Sequence, residues 1–405
     1  MNRRSLTNIG GAISTEGDRA DAERLAHALD VPPATDDDGD PARAHVHGFH
    51  TYPARMHPLT AARLVTAFVP AGARVLDPFC GSGTVLVEAL AANRAATGTD
   101  LNPLAVRLAA CKTRARSPSE LAHLVSRAAE CAANADERRK AKAGASRRFP
   151  PADVALYEPH VLLELDSLRA KIASFNNDPA RPDLELVLSA VLVKLSRKTG
   201  DTGARETVRR TRPGFAAKLF VQKAEDLAAR LAAFAALLPN PAPPVRALLD
   251  DATALNALPR EPVAGVVTSP PYAATYDYLA HHELRLRWLN LDAGPLARGE
   301  IGSRTAYAKK NPADAATAWG AELERFFRAV VRVLPPGGPL AVVMADSAVG
   351  DVALRADEIV ATAARASGLL PCARASQSRP HFHGPTARAF RDRPRAEHAL
   401  LLRKP

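Results

Sequence analysis

Aromatic residues are scarce in this chain, at 5% of 405 residues, and there are only four cysteines. Cys80, Cys111, Cys131 and Cys372 form no Cys-x-x-Cys pair. Neither a disulfide framework nor a cysteine-built zinc site is therefore expected. No apolar run approaches membrane-spanning length, and the first residues lack the apolar centre of a signal peptide. The chain is accordingly expected to be a soluble, reduced, cytoplasmic protein. No Gly-Lys-Ser/Thr follows a glycine-rich turn, which excludes the phosphate-binding loop of nucleotidases. Histidines gather at His45, His47, His50 and His57 and again at His381 and His383. A metal site needs converging ligands with supporting partners, which the spacing does not show, so no metal is expected.

What is abundant is basic charge. Lys and Arg number 54 against 43 Asp and Glu, a net charge of +11. That balance suits a polyanionic partner, although an arginine- and alanine-rich composition also raises it. With so few rings, each aromatic residue beside a motif carries more weight.

Two short motifs hold most of the chemical information. Arg74-Val75-Leu76 is an apolar strand running into Asp77-Pro78-Phe79-Cys80-Gly81-Ser82-Gly83-Thr84. Thr84 to Ala91 then reads as a helix. Strand, glycine turn and helix form the first unit of a doubly wound sheet, with backbone N–H groups of the helix start turned toward a ligand. A second strand, Ala96 to Asp100, ends in an acid 19 residues after Gly81. That spacing suits a carboxylate on ribose hydroxyls. A carboxylate at Asp77 would repel a pyrophosphate but favour a ligand bearing an ammonium and a sulfonium.

The second motif, Thr268-Ser269-Pro270-Pro271-Tyr272, ends the apolar strand Val263 to Val267. Ligands of open α/β sheets bind at the carboxyl ends of strands. The prolines fix the backbone and hold the Pro270 carbonyl in place. That carbonyl and the Ser269 hydroxyl can accept both protons of an exocyclic amino group. Tyr272 offers a ring on which an extruded base can stack.

Together the motifs resemble those of the amino-methylating DNA methyltransferases, which modify cytosine N4 or adenine N6. In that family Ser-Pro-Pro-Tyr is more typical of cytosine N4 enzymes, and Asp or Asn in place of Ser269 of adenine N6 enzymes. The resemblance implies a Rossmann-like α/β methyltransferase sheet with helices on both faces, and S-adenosylmethionine as cofactor. It assigns Asp77, Phe79, Gly81, Gly83, Thr84, Asp100 and Thr268 to the cofactor. Tyr52 and His57 join them from His50-Thr51-Tyr52-Pro53-Ala54-Arg55-Met56-His57-Pro58, which precedes an amphipathic stretch, Leu59 to Phe68. Asp251, or its neighbour Asp250, ends a further strand and would accept a hydrogen bond from the cofactor adenine. Ser269, Pro270, Pro271 and Tyr272 form the catalytic set. Cys80 is expected to pack as a small apolar residue, because carbon-5 cytosine methylation uses a cysteine in a Pro-Cys setting that this chain lacks.

The resemblance covers residues 46–112, the cofactor half, and 244–405, the catalytic half, where strands are read at Pro339 to Asp346 and in a closing antiparallel pair near Arg391 to Arg403. Residues 1–45 read as a flexible arm despite a short helix at Ala20 to Leu29. Residues 113–243 read as a helical insert and candidate recognition region, with Arg138 to Arg148 as an exposed basic loop. The insert enters after the second strand, a departure from the family's usual order. Within it Lys194, Arg197, Lys198, Arg205, Arg209, Arg210 and Arg212 suit phosphate contact, with Arg available for base edges. A helix is read from Ala273 to Leu291; Tyr276 and Tyr278 at its start would wall the target pocket. The expected partner is DNA, with RNA as the alternative, and restriction-modification is the expected setting. The rival readings are an RNA guanine or adenine amino-methyltransferase and a non-catalytic nucleic-acid-binding protein on the same fold.

Overall fold

The computed structural model describes residues 10–33, 39–201, 207, 210–381 and 384–405. In chain order, β1 spans Ile13–Gly17, α1 Arg19–Leu29, α2 Pro58–Phe68, β2 Arg74–Asp77, α3 Thr84–Ala91, β3 Ala95–Asp100 and α4 Pro103–Thr113. The insert contributes α5 Pro118–Lys140, α6 Pro151–Leu156, α7 Pro159–Ser174, α8 Arg181–Leu195 and α9 Phe215–Ala235. Then follow β4 Val245–Leu249, β5 Gly265–Thr268, α10 Tyr278–Trp288, α11 Gly294–Gly299, α12 Arg304–Tyr307 and α13 Pro312–Val333. The chain finishes with β6 Pro339–Ala345, β7 Ser347–Val349, β8 Val352–Leu354, α14 Ala356–Ala366, β9 Leu370–Ser378 and β10 Ala396–Arg403.

Eight strands make one sheet in the order β1-β9-β10-β6-β5-β2-β3-β4. The strands from β6 through β4 run parallel, whereas β10 is antiparallel to both β6 and β9. This is a Rossmann-like α/β sheet whose order reverses between β2 and β5, so the carboxyl ends of those strands flank the topological switch point. The two motifs sit on those two strand ends.

Side-chain alternation on β6 shows how the layers form. Leu340, Val342 and Met344 face α13 and α14, and Ala341 and Val343 face α1 and α2. α13 starts at an Asn311 cap, whose side chain accepts from the Asp314 N–H at 2.9 Å, with Pro312 in the first turn. It buries Trp319, Leu323, Phe326, Phe327 and Val330 along one stripe. Phe326 meets the ring of Phe79 edge-on at 4.9 Å, linking this layer to the glycine turn.

The helical insert lies between β3 and β4, as the motif order implied. Its helices α5, α7, α8 and α9 share a core with Val87 and Leu90 of α3 and Leu104 and Leu108 of α4. A buried ion pair, Arg116–Asp183 at 2.6 Å, closes its entry against α8. Polar groups bind it to the site: His50 Nε2 meets Ser189 Oγ at 3.0 Å. Arg285 of α10 reaches the Ser189 carbonyl at 3.2 Å and Thr51 Oγ1 at 3.0 Å.

Three sequence expectations need correction. The described part of 1–45 is not a flexible arm: β1 pairs antiparallel with β9, and α1 buries Leu25 and Leu29 against the sheet. The expectation rested on polarity, but this helix needs only a narrow apolar stripe to dock. Next, α5 runs to Lys140, so the loop begins at 141 and the first three residues of the Arg138 to Arg148 stretch are helical. Arg138, Arg139 and Lys140 lie in the last turn, where they favour the helix dipole, and Lys142, Arg147 and Arg148 lie in the loop. Third, α10 starts at Tyr278 and not Ala273. Positive φ at Ala274 breaks the helical path after the two prolines.

Replacing Phe326 with alanine would empty a fully buried site between sheet and helix. The expected cost is about 3–5 kcal/mol, read as a lower urea midpoint at unchanged slope. A shift below about 1 kcal/mol would show that this contact does not organise the layer.

Candidate active site

The glycine turn is shaped by close approach. Gly83 caps α3 with φ +86, and a Cβ there would lie 2.9 Å from Ala109 of α4. Gly81, at φ +49, donates its N–H to Asp100 Oδ2 at 2.9 Å. Asp100 Oδ1 accepts from the Asn102 N–H at 2.8 Å, and Asn102 in turn caps α4. Cys80 is buried, with its thiol pushed well up by burial and far from a thiolate. It packs where a Cβ at Gly98 would collide with it at 2.7 Å, as the expectation of a packing residue has it.

Asp77 is almost fully buried. Its Oδ1 accepts from Thr268 Oγ1 at 2.6 Å and from the Phe79 N–H at 3.1 Å. The end of β2 is thereby tied to the end of β5, one motif to the other. Burial raises the Asp77 carboxyl to about 7, against the pull of those two hydrogen bonds. Burial likewise raises Asp100 to about 6.

Two adjoining cavities open at these strand ends. The first is lined by Pro78, Phe79, Gly81, Asp100, Asn102, Asp250 and Asp251, with Pro271 on its far wall. Gly299, Glu300 and Ile301, at the end of α11 and just beyond, cover it. The second, of about 290 Å³, is lined by Pro270, Tyr272, Tyr276, His57, Arg379, Arg395 and Glu397 among others. Tyr52, Ala54, Ser269 and Tyr278 border both. The Ser-Pro-Pro-Tyr turn is therefore a partition, with Pro271 on one side, Pro270 and Tyr272 on the other, and Ser269 between. Ser269 Oγ donates to the Tyr272 hydroxyl at 3.4 Å. The rings of Tyr276 and Tyr278 lie 5.7 Å apart. Tyr52 stacks on His282 of α10 at 4.6 Å, and its hydroxyl accepts from Asn102 at 3.4 Å.

The sequence-derived residues fall into place unevenly. Tyr52, Phe79, Gly81, Asp100 and Asp251 reach the first cavity, together with Asp250. Asp251 Oδ1 accepts from Thr253 N and Oγ1 at 2.8 Å each, while both Asp250 oxygens are engaged by backbone N–H groups. Thr268 and Gly83 act behind the wall through Asp77 and Ala109. His57 and Thr84 face the second cavity and not the first. His57 caps α2, accepting from the Leu59 N–H at 3.3 Å, and burial lowers it to about 4.

The basic stretch of the insert borders neither cavity among the described residues. Arg197 donates to the Ala155 carbonyl at 2.9 Å, Lys194 lies in the last turn of α8, and Arg210 and Arg212 are exposed. Lys198 is half-buried beside Ser196. Arg205 and Arg209 lie outside the described residues.

Sequence reasoning missed Asn102, the α11 cover, and the trio Arg379, Arg395 and Glu397. Only Arg395 and Glu397 had a signal, as charges flanking an otherwise apolar final strand.

The reversing sheet, the glycine turn with its strand-end acids and the partitioned double cavity define a Rossmann-like α/β site at the switch point. The N6/N4 methyltransferase family model, described as DNA methylase, matches residues 32–110 of the chain. Over 83 residues the chain is 41% identical to the Type II methyltransferase M.MvaI of Kocuria varians, covering 20% of this chain and 18% of that protein. Among solved structures it is similar to TrmN of Thermus thermophilus, at 12% identity and a TM-score of 0.33, over 87% of this chain and 50% of that one. The rRNA methyltransferase AviRa of Streptomyces viridochromogenes gives 14% and 0.36, over 94% and 96%. The cofactor that the resemblance of the two motifs implies is S-adenosylmethionine. The first cavity fits it: half-buried Asp100 beside the glycine turn offers a ribose acceptor, and Asp250 and Asp251 lie farther along the wall.

The raised Asp77 carboxyl makes a stability prediction. The folded chain holds this proton up to about pH 7, whereas an unfolded aspartate releases it near 4. Folded stability therefore falls as pH rises between those values. Asp77→Asn, which cannot ionise, should gain on wild type by about 1–3 kcal/mol between pH 5 and pH 8. Chemical denaturation at both values measures it, and an unchanged difference would contradict the assignment.

Proposed function

We propose that this protein transfers a methyl group from S-adenosylmethionine to the N4 amino group of a cytosine flipped out of DNA. The observation that carries this reading is the shared wall. Ser269 borders both cavities, so a group it holds in one faces whatever the other contains.

Ser269 Oγ and the Pro270 carbonyl accept the two amino protons, which fixes the plane of the amino group and turns its lone pair across the partition. When bound, S-adenosylmethionine supplies an electrophilic methyl on a sulfonium. Orientation by Ser269 and Pro270 replaces a strong base, and the nitrogen releases a proton to water once it carries the methyl. Tyr272, Tyr276 and Tyr278 give the flipped base faces to stack on. The cavity of about 290 Å³ has room for one base and its sugar edge.

Ser269 at the first position of the motif favours cytosine over adenine, by the resemblance drawn from the sequence. The net charge of +11 and exposed Arg210 and Arg212 suit a phosphate backbone, for which we take DNA over RNA. The similarity to a Type II methyltransferase fits a role in restriction-modification, in the cytoplasm. Among the described residues no helix is long and apolar enough to cross a membrane.

The test offers the purified protein tritiated S-adenosylmethionine with unmethylated genomic DNA or bulk RNA, followed by nucleoside mass spectrometry. N4-methylcytosine in DNA is the expected product. N6-methyladenine would overturn the choice of base, and label in RNA alone the choice of substrate. Role assignment is checked by Tyr272→Ala, expected to lower turnover about 10–100-fold while cofactor affinity by calorimetry stays within about threefold. Equal loss of both would contradict the partition. Asp100→Asn should do the reverse, weakening cofactor binding about tenfold or more by removing a charged acceptor.

A further inference from the structure

The lining of the base cavity also contains a buried ion pair. Arg379, directly after β9, is 4% exposed, and Glu397, on β10, is 8% exposed. Arg379 Nε and Nη2 both reach the same oxygen, Glu397 Oε2, at 3.0 and 2.8 Å. The Arg379 backbone N–H donates to the Arg395 carbonyl at 2.8 Å, and Pro380 follows at once, so the base of the side chain is fixed. Burying such a pair is costly where apolar residues would pack as well. Its location on a cavity wall gives it another use.

A guanidinium offers two donor edges. Glu397 occupies the edge formed by Nε and Nη2. The end-on edge, with a proton on each of Nη1 and Nη2, has no hydrogen-bond partner among the described residues. A fork of two parallel donors matches two acceptors side by side. Cytosine has that pair, N3 and O2, next to the carbon bearing its amino group. Adenine has only N1 there, followed by a C–H. Guanine presents N1–H, a donor that would oppose the guanidinium.

We propose that Arg379 is the base-reading residue, donating to N3 and O2 of the flipped cytosine, and that Glu397 is its positioning residue. Glu397 also offsets the charge of Arg379, so that positive charge developing on the amino nitrogen does not face an unpaired Arg379 guanidinium. This inference rests on the cytosine reading above.

The test uses the full chain and duplex DNA carrying its methylated site, with the target cytosine either intact or replaced by 3-deazacytosine, which keeps the amino group and O2 but lacks N3. Wild type should lose about 10–100-fold in kcat/KM on the analogue, as expected for a hydrogen bond to a charged donor. In Arg379→Met the two substrates should become equal within about threefold, and in Glu397→Gln the penalty should shrink to an intermediate value. A merely structural role would lower both substrates alike and leave the ratio at its wild-type value, which would overturn the proposal. Calorimetric binding of S-adenosylmethionine reports folding of each variant. If Arg379→Met does not bind it, Arg379→Lys serves, with a reduced penalty expected and an undiminished one contradicting the proposal. Absence of cytosine methylation by wild type would instead remove the reading on which the inference rests, and methyl on guanine N2 would overturn both.

Discussion

A single buried hydrogen bond, Thr268 Oγ1 to Asp77 Oδ1 at 2.6 Å, joins the two strand ends on which the site is built. One strand leads into the glycine turn and the other into the Ser-Pro-Pro-Tyr turn. Neither turn is positioned by its own sequence alone. Backbone pairing of β2 with β5 sets their separation, and the bond holds the two ends together just beyond the last paired residues, Leu76 and Val266. It also explains the burial of Asp77. The residue acts first as a brace, and the raised carboxyl is the electrostatic consequence of putting a brace in a dry place.

Around that brace the protein is layered for rigidity. Phe79 leans on Phe326, Tyr52 on His282, and Gly83 lets α3 and α4 approach closely. The helical insert is part of this support, since its helices share a core with α3 and α4 and its Ser189 is bonded to both His50 and Arg285. A region read as a recognition element thus also fixes the segment carrying Tyr52.

Much of the sheet was legible because its signals are local. Short apolar runs ending in Asp77, Asp100 and Thr268 mark parallel strands whatever surrounds them, and their observed bounds differ by one or two residues. The base cavity was half legible: Ser269, Pro270 and Tyr272 are contiguous, whereas Arg379 and Glu397 lie more than a hundred residues on and meet only through strand pairing of β9 with β10. The N-terminal strand was illegible for a related reason. Ile13–Gly17 is mostly exposed at a sheet edge, so it lacks the apolar alternation that would announce it, and only its partner strand makes it a strand. His57 was assigned to the cofactor because it adjoins Tyr52 in sequence, yet the turn at Ala54, with φ +56, leaves it facing the other cavity.

The central claim is that Ser269 stands between a methyl donor and an amino acceptor. A crystal structure with sinefungin, a non-reactive analogue of S-adenosylmethionine, and duplex DNA tests it most directly. The account predicts the analogue ribose on Asp100, a cytosine among Tyr272, Tyr276 and Tyr278, and the transferring position within about 3–4 Å of the cytosine amino nitrogen. An analogue bound away from Asp100, or a base that enters without approaching Ser269, would contradict it.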